Sequence, residues 1–343
     1  TQTAQLSTTQ LGALTATQVG ALTTAAFSAL DATQVGALSE TQIKGLTTQQ
    51  VAALNATDIG ELATTQIAAL TAGQVGALNT TAFSALSATQ VGALNETQIK
   101  GISASQLKAL TATDVGELAT TQISALTGAQ LASVSATNVS SLTSTQVGAL
   151  STTQVKALTA DQIKGLTTTD IGELADTQIA ALTADQIKNL SAANVSALSQ
   201  TQVSVLANTQ IAALNASQVK GLTTTDIGEL SSTQLGALTT AQLNVLASTQ
   251  VQQLSTTQIG GLSATQIGAL SSSNLTLMDA TQIGALTGTQ LKGLTNSQLA
   301  GLTTTNIGNL ADTQVAALSA SQLGALSTTG FSALNQTQVA ALS

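Results

Sequence analysis

Leu14-Thr15-Ala16-Thr17-Gln18-Val19-Gly20-Ala21 is one copy of an eight-residue unit that fills almost the whole chain. From Leu6 to Ala341 the sequence reads as 42 consecutive octads, none shortened or lengthened, within a chain of 343 residues. Position 1 is Leu except at Ile102, Val134 and Met278, and position 6 is always Val, Ile, Leu or Phe. Position 2 is Ser, Thr, Asn or Asp, apart from Ala63, Ala119, Ala175, Ala207, Ala247 and Ala311. Position 5 is usually Gln, and positions 7 and 8 are mostly Gly, Ala, Ser or Lys.

Neither regular structure can run through this pattern unbroken. In a continuous helix, eight residues at about 100° each leave the next Leu about 80° further round, so the apolar residues drift over every face. In a continuous strand, positions 1 and 6 point to opposite faces because their separation is odd. The chain must bend once per octad. Position 2 carries the residue types whose side-chain oxygens cap helix N-termini. Placing it at N-cap puts Gln at N3, which gives the S/T-x-x-Q capping box, and makes positions 1 and 6 the N′ and N4 pair of a hydrophobic staple. The next Leu lies three residues after position 6, on the same helix face. Each octad thus reads as a mini-helix of about six residues, bent at the Leu–Ser/Thr junction. Helices this short are unstable alone, so the expected fold is an all-α solenoid with an aliphatic core. The competing reading is a β-solenoid with Gln and Thr ladders, favoured by the many Thr, Val and Ile. The organisation expected is one elongated array over residues 1–343, with no separate domains.

A longer period overlies the octad. The signature T-[D/N]-[I/V]-G-[E/N] occurs at Thr57–Glu61, Thr113–Glu117, Thr169–Glu173, Thr225–Glu229 and Thr305–Asn309. Its spacing is seven octads three times and then ten. A second marker keeps the same spacing: Phe27, Phe83, Val139, Val195, Leu275 and Phe331 follow a position 5 that is not Gln. Duplicated seven-octad modules with a three-octad insertion between about Leu190 and Leu270 explain both. If the signature keeps one side of the solenoid, a turn takes about 3.4 octads, a size that closes helices at ordinary packing distance. Neither end carries a polar cap, so end-to-end self-association or flanking repeats of a longer chain are the expected partners.

Composition excludes more than it assigns. The chain has no Pro, Cys, His, Trp, Tyr or Arg, 7% charged residues and a net charge of −8. That balance argues against nucleic acid and anionic membranes, and no apolar run is long enough to cross a bilayer. Nucleophilic catalysis lacks a His base and any Cys, so no enzyme and no cofactor is expected. The carboxylate pairs Asp58/Glu61, Asp114/Glu117, Asp170/Glu173 and Asp226/Glu229 share a helix face at i, i+3. They are the candidate metal residues, as oxygen ligands for Ca²⁺. Capping of the helix N-terminus by the Asp accounts for them equally, and the fifth copy, Asn306/Asn309, has lost the charge.

The run of L-[S/T]-x-T-Q-[V/I]-x-A units, from Leu6 to Ala341, resembles the Thr/Gln/Ala/Leu-rich repeat regions of large secreted bacterial surface proteins, including adhesin-like ones. The resemblance implies an extracellular or cell-surface stalk, filament or matrix component of a bacterium. The Asp-rich nonapeptides of the RTX class are missing. The expected function is therefore a non-enzymatic spacer or filament-forming subunit. The alternative is a carbohydrate- or surface-binding adhesin module that presents its repeated Thr/Gln face to glycans.

Overall fold

In the computed structural model each octad folds into one short helix. The structure describes residues 2–342; Thr1 and Ser343, the two ends of the expected array, lie outside the described residues. After a 3-10 turn at Gln2–Gln5 come 42 α-helices of four to six residues, and the described residues contain no strand. The β-solenoid reading is thereby corrected. The Thr that suggested strand are spent as caps, and each helix needs only one Val or Ile facing inward, so packing overrides the weak strand preference.

Ala72–Ala77 shows how the local structure arises. Thr71 Oγ1 accepts from the Gln74 backbone N–H at 3.2 Å, while Gln74 Oε1 accepts from the Thr71 N–H at 2.7 Å. The box ties off two of the unpaired donors at the helix start. Leu70 (φ −57°, ψ 141°) and Thr71 (φ −75°, ψ 158°) are both extended, and these two residues make the bend. No described residue has a positive φ, so the turn needs no glycine.

The six Ala caps obey the same geometry without a side-chain acceptor. At Ala63 the Gln66 N–H donates to the Ala63 carbonyl at 3.0 Å, and Gln66 Oε1 still accepts from the Ala63 N–H. The corresponding backbone bond is present at Ala119, Ala175, Ala207, Ala247 and Ala311. A backbone oxygen thus replaces the missing hydroxyl, which is why alanine is tolerated there.

Positions 1 and 6 form the core. Ile67 and Val75 are fully buried and Leu70 and Leu78 nearly so; each such side chain contributes roughly 1.5–3 kcal/mol. The chain coils because each helix packs on the helix three octads later, as Ala72–Ala77 does on Glu96–Gly101. Position 5 is buried too. Gln74 Nε2 donates to the carbonyls of Ile43 and Leu46, 31 and 28 residues earlier, at 2.9 and 2.8 Å. One turn of the coil therefore takes between three and four octads, in keeping with the turn expected from the spacing of the signatures.

Where a glycine at position 8 meets a small residue at position 3 of the coil before, as at Gly45/Ala16 and Gly101/Ala72, the coils approach closely. A Cβ on Gly45 would lie 2.6 Å from the Ala16 carbonyl oxygen and 2.7 Å from Ala16 Cβ. Backbone cannot yield to such a contact, so this glycine is required by packing rather than by its dihedral freedom.

Two compact units are present, residues 1–174 and 175–343. Both follow the rules above. The division falls between positions 1 and 2 of an octad, at Leu174 and Ala175, where the octad register of the sequence continues unchanged.

Candidate functional site

The buried row of position-5 side chains is the most distinctive chemistry in the molecule. An ordinary Gln uses its whole amide. Gln98 Oε1 accepts from the Asn95 N–H at 2.8 Å, and Nε2 donates to the carbonyls of Ile67 (2.9 Å) and Leu70 (2.8 Å) in the preceding coil. The same arrangement recurs at Gln42, Gln106, Gln154, Gln218 and Gln290. Each glutamine caps its own helix and clips it to the coil before. The carbonyls it reaches lie at the helix end and the bend: that of Ile67 also accepts the Leu70 N–H at 3.2 Å, and that of Leu70 lies beyond the last helical residue.

The candidate Ca²⁺ residues sit in this row. Asp58, Asp114, Asp170 and Asp226 take the place of Gln at position 5. Each accepts the N-cap N–H through Oδ2: from Asn55 at 2.9 Å, Thr111 at 2.7 Å, Thr167 at 2.6 Å and Thr223 at 2.6 Å. A carboxylate has no N–H to donate, so the clip is lost. Two of the four receive a bond instead: Ser140 Oγ donates to Asp170 at 2.5 Å, and Ser196 Oγ to Asp226 at 2.6 Å. Opposite Asp58 and Asp114 stand Phe27 and Phe83, each lining a void of about 10 Å³ too small for a ligand. Asp58 lies 31 residues after Phe27, and Asp170 lies 31 after Val139. The two sequence markers share one spacing because one packs on the other.

Glu61, Glu117, Glu173 and Glu229 occupy position 8, normally Ala, and are half-buried. Burial pushes the Glu61 carboxyl above its ordinary value, and the charges of Asp58 and then Asp31 push the same way. Its Oε2 is shielded from solvent and has no hydrogen-bond partner. Among the described residues, no three Asp or Glu gather into a group that could hold a metal ion. The pairs are brought to one helix face, as the i, i+3 spacing requires.

All eight lysines are solvent-exposed on position 7. Lys108 and Asp161 flank the groove of about 520 Å³ that runs past Ser105, Ser133, Ser135 and Thr159. A similar groove of about 550 Å³ lies beside Lys292. Both are open to solvent and have no aromatic platform. Among the described residues, no helix is long and apolar enough to cross a membrane.

Three stretches, residues 19–48, 139–176 and 219–256, match the model of the ALTTAQ repeat. The last contains the hexapeptide itself at Ala237–Gln242, which runs from position 8 of one octad to the clip glutamine of the next. No curated protein matches the chain. The three stretches are similar to a repeat, and the helical octads give that repeat its structural meaning: each match spans at least one full turn of the coil.

Proposed function

We propose that the chain is a non-enzymatic structural element, a spacer or filament-forming subunit of a bacterial surface or matrix. One observation carries the reading: the buried polar side chains are almost all position-5 residues spent on holding octads to one another. Most of the glutamines that would have formed half of a Thr/Gln glycan face are withdrawn into that work, leaving that face chiefly its hydroxyls. The last described coil leaves Phe331 and Val339 each 49% exposed, against 3% and 5% for Phe27 and Phe83. Further octads, from flanking repeats or a second copy, are the cover that such a face fits. Electron microscopy of the purified chain at high concentration tests this. End-joined particles or filaments are expected. Discrete particles together with specific retention on a glycan array would replace the reading with the adhesin alternative.

A further inference from the structure

Outside the ordinary glutamines, and after Ala26 in the first coil, position 5 of the first unit holds Asp58, Ala82, Asp114, Asn138 and Asp170. These five are 24 and 32 residues apart in alternation, a mean of 28, which is the reach of the glutamine clip. Each coil therefore has one such residue, and all of them fall along one edge. That 56 residues is two coils is visible directly: Ser105 and Asp161, separated by that distance, line one groove.

At this edge the joint between coils changes. Asp58 and Asp114 donate nothing to the preceding coil, and no glutamine reaches the carbonyls of Phe27, Leu30, Phe83 and Leu86, their counterparts 31 and 28 residues back. At Ala82 the N-cap Asn79 reaches across instead, to Leu54 and Ala52. Asn138 is too short for both carbonyls and keeps one bond, to Leu110 at 2.6 Å. Asp170 receives Ser140. Everywhere else in this unit, from Gln34 onward, two carbonyls are clipped by one buried amide.

We infer that the first unit carries a seam, one edge along which neighbouring coils are joined by packing or by a substitute bond, and along which the coil opens first. The inference goes beyond the structural role proposed above and does not depend on it. The fifth signature shows the chemistry from the other side: where Asn306 replaces Asp, its Nδ2 again points to a carbonyl 28 residues back, Met278, at 3.4 Å. An amide at that position finds the preceding coil; a carboxylate does not.

Native-state hydrogen exchange, read by mass spectrometry on the full chain, tests the seam. Amides of Ala56–Glu61 and Ala112–Gly116 should exchange roughly tenfold faster than those of Thr64–Ala69 and Ala104–Ala109, which differ by two net hydrogen bonds per joint. Asp58→Gln with Asp114→Gln should slow the fast pair to the rate of its neighbours. Conversely, Gln66→Met, which also removes the acceptor of the Ala63 N–H, should bring Thr64–Ala69 at least up to the seam rate. Equal protection in the wild type, or exchange unmoved by both sets of substitutions, would overturn the inference. If the Asp→Gln chain fails to fold by circular dichroism, the Gln66→Met arm decides alone.

Discussion

The two units are built from the same octad but clipped differently. In the first, uninterrupted glutamines run for two or three octads before a seam residue intervenes, as with Gln66 and Gln74 between Asp58 and Ala82. In the second, five follow in a row between Asp226 and Asn274: Gln234, Gln242, Gln250, Gln258 and Gln266. All five reach two carbonyls of the preceding coil, from Val203 and Leu206 through to Gly236 and Leu238. This is the region of the three-octad insertion, so a nearly complete coil without a seam residue has been added there. The contrast separates two sources of stability that octads usually deliver together, the aliphatic core and the amide clip. Core residues barely differ between the regions; the clips do.

The comparison breaks most visibly at a clip. Gln250→Leu would leave the carbonyls of Val219 and Leu222 and the N–H of Ala247 without their side-chain partners. The Val219 carbonyl keeps the Leu222 N–H, so two groups are left unsatisfied, and at roughly 1–3 kcal/mol each a loss of about 4 kcal/mol is expected in urea denaturation. Asp58→Leu, at a joint of the first unit that has no clip, strips only the exposed Asn55 N–H of its partner and should cost less than half as much. Next in size is the close approach of coils. Gly45→Ala places a Cβ against Ala16 backbone and should cost about 2 kcal/mol. Gly60→Ala, with nothing within 4 Å, should instead stabilise by roughly 0.5–1 kcal/mol through helix propensity.

Caps come lower. Thr143→Ala should cost about 0.5 kcal/mol, the low end for an N-cap, because the Gln146 N–H can turn to the backbone carbonyl as it does at Ala63. A loss above about 2 kcal/mol would show that this rescue is confined to natural alanine octads. The smallest effect is the pH dependence of the first unit near Glu61. A raised carboxyl binds its proton more tightly when folded than when unfolded, so stability falls as pH rises from the ordinary carboxyl range through the raised value, and is level above it. Glu61→Gln should remove that slope in thermal denaturation followed across the acid range, and stability that instead rose with pH in the wild type would reverse the assignment.

Much of this was legible in the octad. The helix, its register, the capping box, the staple and the bend all follow from residues within ten positions of one another. The coil period came from the signature spacing. The clip was not read, because Gln74 and the carbonyls of Ile43 and Leu46 are about one coil apart and no local rule connects them. A signal was nevertheless present. A capping box accepts Glu as readily as Gln, yet no octad has Glu at position 5. The selection against a side chain of the same length that lacks an N–H identifies position 5 as a donor. The Asp of the signature was read as a capping group, and it is one; that it also marks a missing clip depends on knowing what the glutamine does elsewhere.

The bend made by Leu70 and Thr71 has a consequence for how such a gene changes length. Because it uses two ordinary residues in extended conformation, every octad carries its own corner and can be copied into any place without a special turn. What copying alters is phase. One extra octad shifts every later side chain round by about a quarter to a third of a turn, whereas three come close to a whole one. Replication slippage can supply any number of copies, but only some of them leave a downstream edge facing the way it did before. The three octads added between Asp226 and Asn274 are the smallest addition that nearly restores it.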